Sequence, residues 1–342
     1  MALFQRKTSR LRSAATPAGG STATAAPPAR TAAGIDPETV IRIKHLELRA
    51  KVVVEGFISG IHRSPFHGVS VEFTEYRQYT PGDDPRFVDW KLFARSDRFY
   101  IKRYEDETNL RCTFVVDFSR SMGYGSLSFD KAEYARTAAA TLAYFLVMQR
   151  DAVGLMTFDE EVRNYLPARY RPGHLHRVIM ALEQEVAGTD TRMSQPLERV
   201  AQVVTKRGLI VIISDLLTPL DRLAKDLGYL RSRGHEVVIV RVLDPSETSF
   251  DFTTPAMFLD HESGKELYID PDVAREQYLR RFRQHAADLQ TICDDLGIDL
   301  IIAHTNQPLD VALFDFLQAR MRRGRSVIRR GMKNVAGKGG GR

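Results

Sequence analysis

Oxygen-bearing side chains stand at the ends of two apolar runs of the sequence. Asp117, Ser119 and Ser121 follow one run directly, and Asp215 ends the other. A carboxylate and two hydroxyls at alternate positions of one loop can all point into one pocket. Such hard oxygen donors suit an octahedral Mg²⁺ or Mn²⁺ ion that keeps part of its water. These residue types and their spacing therefore predict a metal site.

The segment GTDT, between the two runs, offers a further donor. Thr189 is the predicted ligand from this segment, and Thr191, two residues later, can take its place. The alternative interpretation of Asp117, Ser119 and Ser121 is a turn whose side chains cap the loop after a strand. With Thr189 and Asp215 added, metal binding is the favoured interpretation.

The segments that position these donors alternate between apolar strands and amphipathic helices. Strands are predicted at 112–117, 153–158, 209–215, 236–244 and 299–304, with EVRNYLP added by a hairpin. Helices are predicted near 130–150, 173–186, 195–206, 219–233, 271–296 and 308–322. This alternation favours an α/β fold with a doubly wound, mostly parallel sheet covered on both faces. Ligands of such sheets bind beyond the carboxyl ends of the strands, where the strand order reverses, so Asp117 and Asp215 meet if their strands are neighbours there.

Composition divides the chain into four parts. Residues 1–36 predict a disordered basic tail, because they hold few large apolar side chains to bury. Residues 37–109 predict a helix followed by a small β-rich module, with VVVEGFISG, GVSVEFTEY and RFYIKRYE as strands. Residues 110–322 predict the α/β domain, and residues 323–342 a second disordered basic tail.

Charge and cysteine content bear on partners and compartment. Residues 1–34 hold five basic residues and residues 320–342 hold nine, with no acid in either, so the remainder carries a net charge of −8 within a chain of +6. The two cysteines, Cys112 and Cys293, lie in apolar runs, which is typical of buried thiols in a reducing compartment. No apolar run reaches the roughly 18–20 residues of a membrane span, and the basic N-terminus lacks the apolar segment of a secretory signal. We therefore expect a cytoplasmic protein.

The pattern of donors carries a family resemblance. Asp117-x-Ser119-x-Ser121, the downstream Thr189 and the pair Ser214-Asp215 resemble the metal-ion-dependent adhesion site (MIDAS) of von Willebrand factor A domains. The resemblance spans about residues 110–320. It implies a von Willebrand factor A-like fold and a Mg²⁺ or Mn²⁺ ion held by these residues.

The upstream segment resembles the signature of the bacterial domain-of-unknown-function family 58, whose members carry an A-type domain directly after it. The matching residues are Glu72-Phe73, Arg77, Tyr79, Gly82-Asp83-Asp84, Arg86, Asp89-Trp90 and Ala94-Arg95. Thr305-Asn306-x-Pro308-Leu309 is similar to the family's TDxPL element, with Asn306 in place of aspartate. The resemblance implies a MoxR-type AAA+ ATPase as partner, and a role in assembling or maturing protein complexes.

These observations predict a non-enzymatic, metal-dependent protein-binding module whose protein ligand supplies an Asp or Glu carboxylate to the metal. The sequence contains no P-loop, no GxSxG and no dinucleotide-binding glycine pattern. The enzymatic alternative is an aspartyl-phosphate hydrolase with Asp117 as nucleophile, although Ser119 stands where such enzymes need a second acid. The other alternative is binding of nucleic acid or an anionic surface through the basic tails. The interpretation of these tails as solubility segments is favoured over it.

Overall fold

The computed structural model describes most of the predicted α/β domain and shorter parts of the preceding segments. The described residues are 4–6, 35–63, 75–78, 100–103, 110–159, 161–184, 194–251, 256–260, 266–269 and 271–317. Their strands are Phe4–Arg6 (β1), Glu75–Gln78 (β2), Tyr100–Arg103 (β3), Arg111–Asp117 (β4), Ala152–Phe158 (β5), Val162–Arg169 (β6), Leu209–Ser214 (β7), Glu236–Leu243 (β8), Ala256–Asp260 (β9), Glu266–Ile269 (β10) and Asp299–His304 (β11). Their helices are Pro37–Ile41 (α1), Leu46–Arg63 (α2), Lys131–Met148 (α3), His174–Leu182 (α4), Ser194–Val203 (α5), Leu220–Ser232 (α6), Pro245–Ser249 (α7), Pro271–Leu296 (α8) and 309–317 (α9), with a 3₁₀ turn at Arg120–Gly123.

A six-stranded sheet forms the centre of the main unit, with strand order β11-β8-β7-β4-β5-β6. All neighbours are parallel except β6, which pairs antiparallel with β5 as an edge strand. From β4 the chain builds outward through β5 and β6, then crosses back to place β7 on the other side of β4. The strand order therefore reverses between β4 and β7, and the predicted doubly wound α/β fold is confirmed.

Helices cover both faces of this sheet. Apolar side chains of α5, α6 and α8 pack with alternate residues of β7 and β8 in one core cluster, which includes Leu197, Leu227 and Leu289. Helix α3 contacts β4, β5, β7 and β8 and contributes no residue to that cluster, so it lies on the opposite face. The continuous burial of β4, β5 and β7 follows from this double cover.

Helix α2 corrects the prediction of a strand at VVVEGFISG, because residues 52–60 are helical. Leu46, Ala50, Val53, Val54 and Phe57 are buried, at helical spacing along one face. The β-branched valines suggested a strand, but the packing of this face outweighs their local propensity. The helix predicted at the start of residues 37–109 is instead two helices, α1 and the start of α2.

The division of the chain also differs from the prediction. The described residues form two compact units, one drawn from Met1–Phe57 and Arg111–Arg342 and the other from Ile58–Leu110. Residues 37–57 thus belong with the α/β domain rather than with the β-rich module at 37–109. Contacts to α3 and α4 explain this: Arg49 pairs with Glu133, and the Leu46 amide donates to Glu183 Oε1 at 3.1 Å.

Each unit holds a smaller antiparallel sheet. In the second unit β2 pairs with β3, in register Glu75 to Arg103. In the main unit β9 pairs with β10 and with β1. Within residues 1–36, which the composition predicts as a disordered tail, Phe4–Arg6 forms a strand that pairs with β9.

Other predictions fall partly or wholly outside the described residues. These are the tail at 323–342, the GTDT segment with Thr189 and Thr191, and most of the upstream signature. Of the helices that the structure describes, none is long and apolar enough to cross a bilayer.

Candidate metal centre

The loop after β4 brings the first three predicted ligands together. Asp117, Ser119 and Ser121 are all buried, with at most 3% of the side chain exposed. The Ser119 amide donates to Asp117 Oδ1 at 2.8 Å, and the hydroxyls of Ser119 and Ser121 lie 3.1 Å apart. The 3₁₀ turn at Arg120–Gly123 folds Ser121 back toward Ser119. One carboxylate and two hydroxyls therefore converge, as the spacing predicts.

The loop after β7 meets this loop from the neighbouring strand. Ser214 Oγ donates to Asp117 Oδ2 at 2.6 Å, which joins the two strand ends directly. Asp215 is fully buried and accepts the Leu217 amide on Oδ1 at 3.2 Å. Between them Leu216 adopts a φ of 53°, in the left-handed region that costs a residue with a Cβ about 1 kcal/mol. The reversal of strand order thus places Asp117 and Asp215 at one edge of the sheet.

The negative charge of ionised Asp117 is poorly stabilised by its surroundings. Burial, and then the negative charge of Asp215, raise the pKa of Asp117 to about 7, against the opposing effect of hydrogen bonds from Ser214 and Ser119. The hydrogen-bond donors to Asp117 are neutral groups of Ser119 and Ser214. Among the described residues, no lysine or arginine donates to this carboxylate. Ionised Asp117 is therefore a buried anion that a cation can stabilise.

Asp215 has a different environment, because a buried lysine is hydrogen-bonded to its carboxylate. Lys131, at the first position of α3, is fully buried, and its Nζ donates to Asp215 Oδ2 at 2.8 Å and to Glu247 Oε1 at 2.6 Å. Burial alone would lower the pKa of Lys131, but the charges of Asp215 and Glu247 raise it above its ordinary value. Lys131 is therefore a charged ammonium between two carboxylates.

Two further groups hold this network in place. Arg241, 1% exposed in the middle of β8, donates from Nε to the Asp215 backbone oxygen at 3.0 Å, and its guanidinium lies 5.4 Å from the ring centroid of Phe282. Asp244 and Glu247 form the capping box of α7, in which the Asp244 amide donates to Glu247 Oε2 at 3.0 Å. The carboxylate that holds Lys131 is thus fixed by the start of α7.

The residues fit a magnesium or manganese ion through hydroxyl-rich ligation. In the described part of the chain, no three His, Cys, Asp or Glu side chains are arranged to hold a metal. The predicted ligand set includes only two acids, Asp117 and Asp215. Its other donors are the hydroxyls of Ser119, Ser121 and Thr189. Asp117 supplies an uncompensated carboxylate and the two serines supply converging oxygens, which match the preferences of these ions. Asp215 is brought alongside, but its Oδ2 already accepts from the charged ammonium of Lys131.

Lys131, Arg241 and Glu247 were not predicted from the sequence. Two signals in it point to Arg241 and Glu247. Arg241 interrupts an otherwise apolar strand, and a charge in a buried strand requires a partner. The spacing of Asp244 and Glu247 with Pro245 between them is that of a capping box at a helix start.

Comparisons with known proteins identify the family to which this chain belongs. It is 28% identical over 292 residues to the uncharacterized protein Rv1480 of Mycobacterium tuberculosis, covering 84% of this chain and 91% of that protein. Similar solved structures are the hypothetical protein BatB of Bacteroides thetaiotaomicron (14% identity, TM-score 0.44, 62% of this chain and 99% of that one) and an aerotolerance-related membrane protein of Bacteroides fragilis (17%, 0.43, 61% and 98%). The family model described as protein of unknown function DUF58 matches residues 75–288. Because that match covers more than half of the chain, the protein belongs to the DUF58 family.

Proposed function

We propose that this protein is a non-enzymatic, metal-dependent protein-binding module whose Mg²⁺ or Mn²⁺ ion is held by Asp117, Ser119 and Ser121. The observation that carries the proposal is the buried, uncompensated carboxylate of Asp117 beside two converging hydroxyls, at the point where the strand order reverses. Thr189 remains a proposed further ligand.

The charge of this site favours an acidic partner. A divalent cation with Asp117 as its one uncompensated acidic ligand retains a positive charge after binding. An Asp or Glu carboxylate of a partner protein can complete the coordination and neutralise that charge. Because Asp117, Ser119 and Ser121 are closed to solvent, recognition requires the loop around Ser121 to open toward the partner.

A MoxR-type AAA+ ATPase is the proposed partner. Membership of the DUF58 family supports this choice, because the family resemblance implies such an ATPase and a role in assembly or maturation of protein complexes. We propose the cytoplasm as the place of this interaction, because two buried cysteines that form no disulfide are compatible with a reducing environment.

The residue types of the site favour binding over phosphoryl transfer. Both oxygens of Asp117 accept hydrogen bonds and its side chain is fully buried, so a nucleophilic role would need the same opening of the loop as partner binding. The position two residues later, where phosphatases of this type carry an acid, is Ser119. The aspartyl-phosphate alternative is therefore not favoured by the arrangement of these groups.

Titration calorimetry of the metal-free protein tests the proposal. MgCl₂ or MnCl₂ should give a saturable heat with the wild type, and Asp117→Ala combined with Ser119→Ala should abolish it while circular dichroism stays native. Lys225→Ala, on the exposed side of α6, is the control and should bind like the wild type. A wild-type protein that binds neither ion at millimolar concentration contradicts the proposed metal site.

A further inference from the structure

The two acids of the site differ in how their charges are compensated. Asp215 Oδ2 accepts from the Lys131 ammonium at 2.8 Å, and Oδ1 accepts a backbone amide. Asp117 accepts from an amide and a hydroxyl, neither of which carries charge. An ammonium on a carboxylate competes directly with a metal ion for the same oxygen. Asp215 is therefore the acid less available to a cation.

Burying the Lys131 ammonium would be energetically unfavourable without its carboxylate partners. Its ammonium is fully buried, which disfavours charge, and it lies at the N-terminus of α3, where the helix dipole also disfavours a cation. Two carboxylates from different elements, Asp215 after β7 and Glu247 in α7, offset these costs. An ammonium held so firmly stays on Asp215 and is not displaced easily.

We propose that Lys131 is a positioning residue that keeps Asp215 out of the metal's ligand set and thereby limits the metal affinity of the site. This inference rests on the proposed function, since it concerns the same ion. Lys131 acts as a permanent cation beside the site. With Asp215 held by Lys131, the ion keeps Asp117 as its uncompensated acidic ligand, and the charge left over is available to the carboxylate of a partner.

Two single substitutions distinguish the proposed role of Lys131 from a purely structural one, because they should change the affinity for Mg²⁺ in opposite directions. Lys131→Met removes the ammonium and releases Asp215, so the affinity for Mg²⁺ should rise about tenfold or more, within the range that groups around metal ligands command. Glu247→Gln leaves the ammonium on Asp215 and removes one negative charge, so the affinity should fall. If Lys131 only braced the fold, both substitutions would loosen the site and weaken binding together.

Calorimetry with MgCl₂ on the full chain measures these affinities, with circular dichroism as the check of folding. Because Lys131→Met leaves two buried acids unpaired, the double variant Lys131→Met/Glu247→Gln is the second test: its net charge equals that of the wild type, and it should also bind Mg²⁺ more tightly. Arg222→Met/Glu198→Gln removes an exposed pair of the same type and should leave the affinity unchanged.

The outcomes separate this inference from the proposed function. A folded double variant that binds Mg²⁺ no more tightly than the wild type overturns the role of Lys131 while leaving the metal site intact. A wild type that binds no Mg²⁺, beside a double variant that does, supports the role of Lys131 and contradicts the proposed function. Absence of binding in all variants overturns both.

Discussion

At the scale of single residues, the side chains of the proposed metal site meet through local spacing in one loop and through the pairing of two neighbouring strands. Asp117, Ser119 and Ser121 converge because one short loop carries them, and Asp215 joins them because β4 and β7 are neighbours. Lys131 was not predicted, since a lysine after the helix cap Asp130 is ordinarily solvated. Its burial depends on Glu247, which is 116 residues away in the chain, and spacing carries no information about that contact.

The raised pKa of Asp117 predicts a dependence of stability on pH in the metal-free protein. The pKa is about 7 in the folded state against 3.8 for the free side chain, so the folded state binds the proton more tightly. The stabilising contribution is fully present below the unfolded pKa and is lost as pH rises through about 7. Burial lowers the pKa of His174, His235, His285 and His304, and these groups titrate in the same range, so the contribution of Asp117 is measured as the difference between the wild type and Asp117→Asn. Relative to Asp117→Asn in urea unfolding, the wild type should be less stable at pH 8 than at pH 5.5, and Mg²⁺ should restore part of that stability at pH 8. A wild type and variant with the same pH dependence would contradict the assignment to Asp117.

At the scale of elements, the strands and helices of the α/β domain were predicted well because their apolar periods are strong. Helix α2 was not, because its valines have the side-chain type of a strand and its buried face is defined by contacts with elements distant in the chain, such as α3 and the end of α4. The short elements α7, β9 and β10 also escaped prediction. Their sequences carry little periodicity, and their places depend on partners elsewhere in the chain.

The packing of α2 on α3 predicts how a substitution there affects the main unit. Phe57 is 7% exposed and meets the ring of Phe145 edge-on, with centroids 6.4 Å apart. Phe57→Ala should lower the free energy of unfolding of the main unit by about 3 kcal/mol, the usual cost of a large buried truncation. Leu48→Ala, at a site 48% exposed on the same helix, is the matched control and should change it by less than about 0.5 kcal/mol. Equal effects of the two substitutions in urea unfolding would show that α2 does not pack as described.

At the scale of the whole molecule, the distribution of charge offers two competing ways to bind a partner. The basic segments at both ends contrast with the acidic remainder of the chain. Binding through those segments is electrostatic, depends steeply on salt and is indifferent to metal. In the proposed function, binding through Asp117 requires the ion and is independent of the terminal charges. Deleting the N-terminal segment is not a clean way to distinguish these two modes of binding. Because β1 pairs with β9, the deletion removes a strand of the main unit as well as the charges of the segment.

Replacing the basic residues of 10–30 and 323–342 by glutamine removes ten of the fourteen basic residues in the two terminal segments and keeps β1. A purified MoxR-type ATPase should be retained equally by this variant and by the wild type when Mg²⁺ is present. EDTA and Asp117→Ala should each weaken retention about tenfold or more, the loss expected when a charge-assisted contact to the ion is removed. The reverse pattern, in which retention is lost with the terminal charges and persists in EDTA, would assign binding to the basic segments. Retention that survives both changes would keep the ATPase as a partner but place its contact on another surface, because neither the ion nor the terminal charges would then contribute.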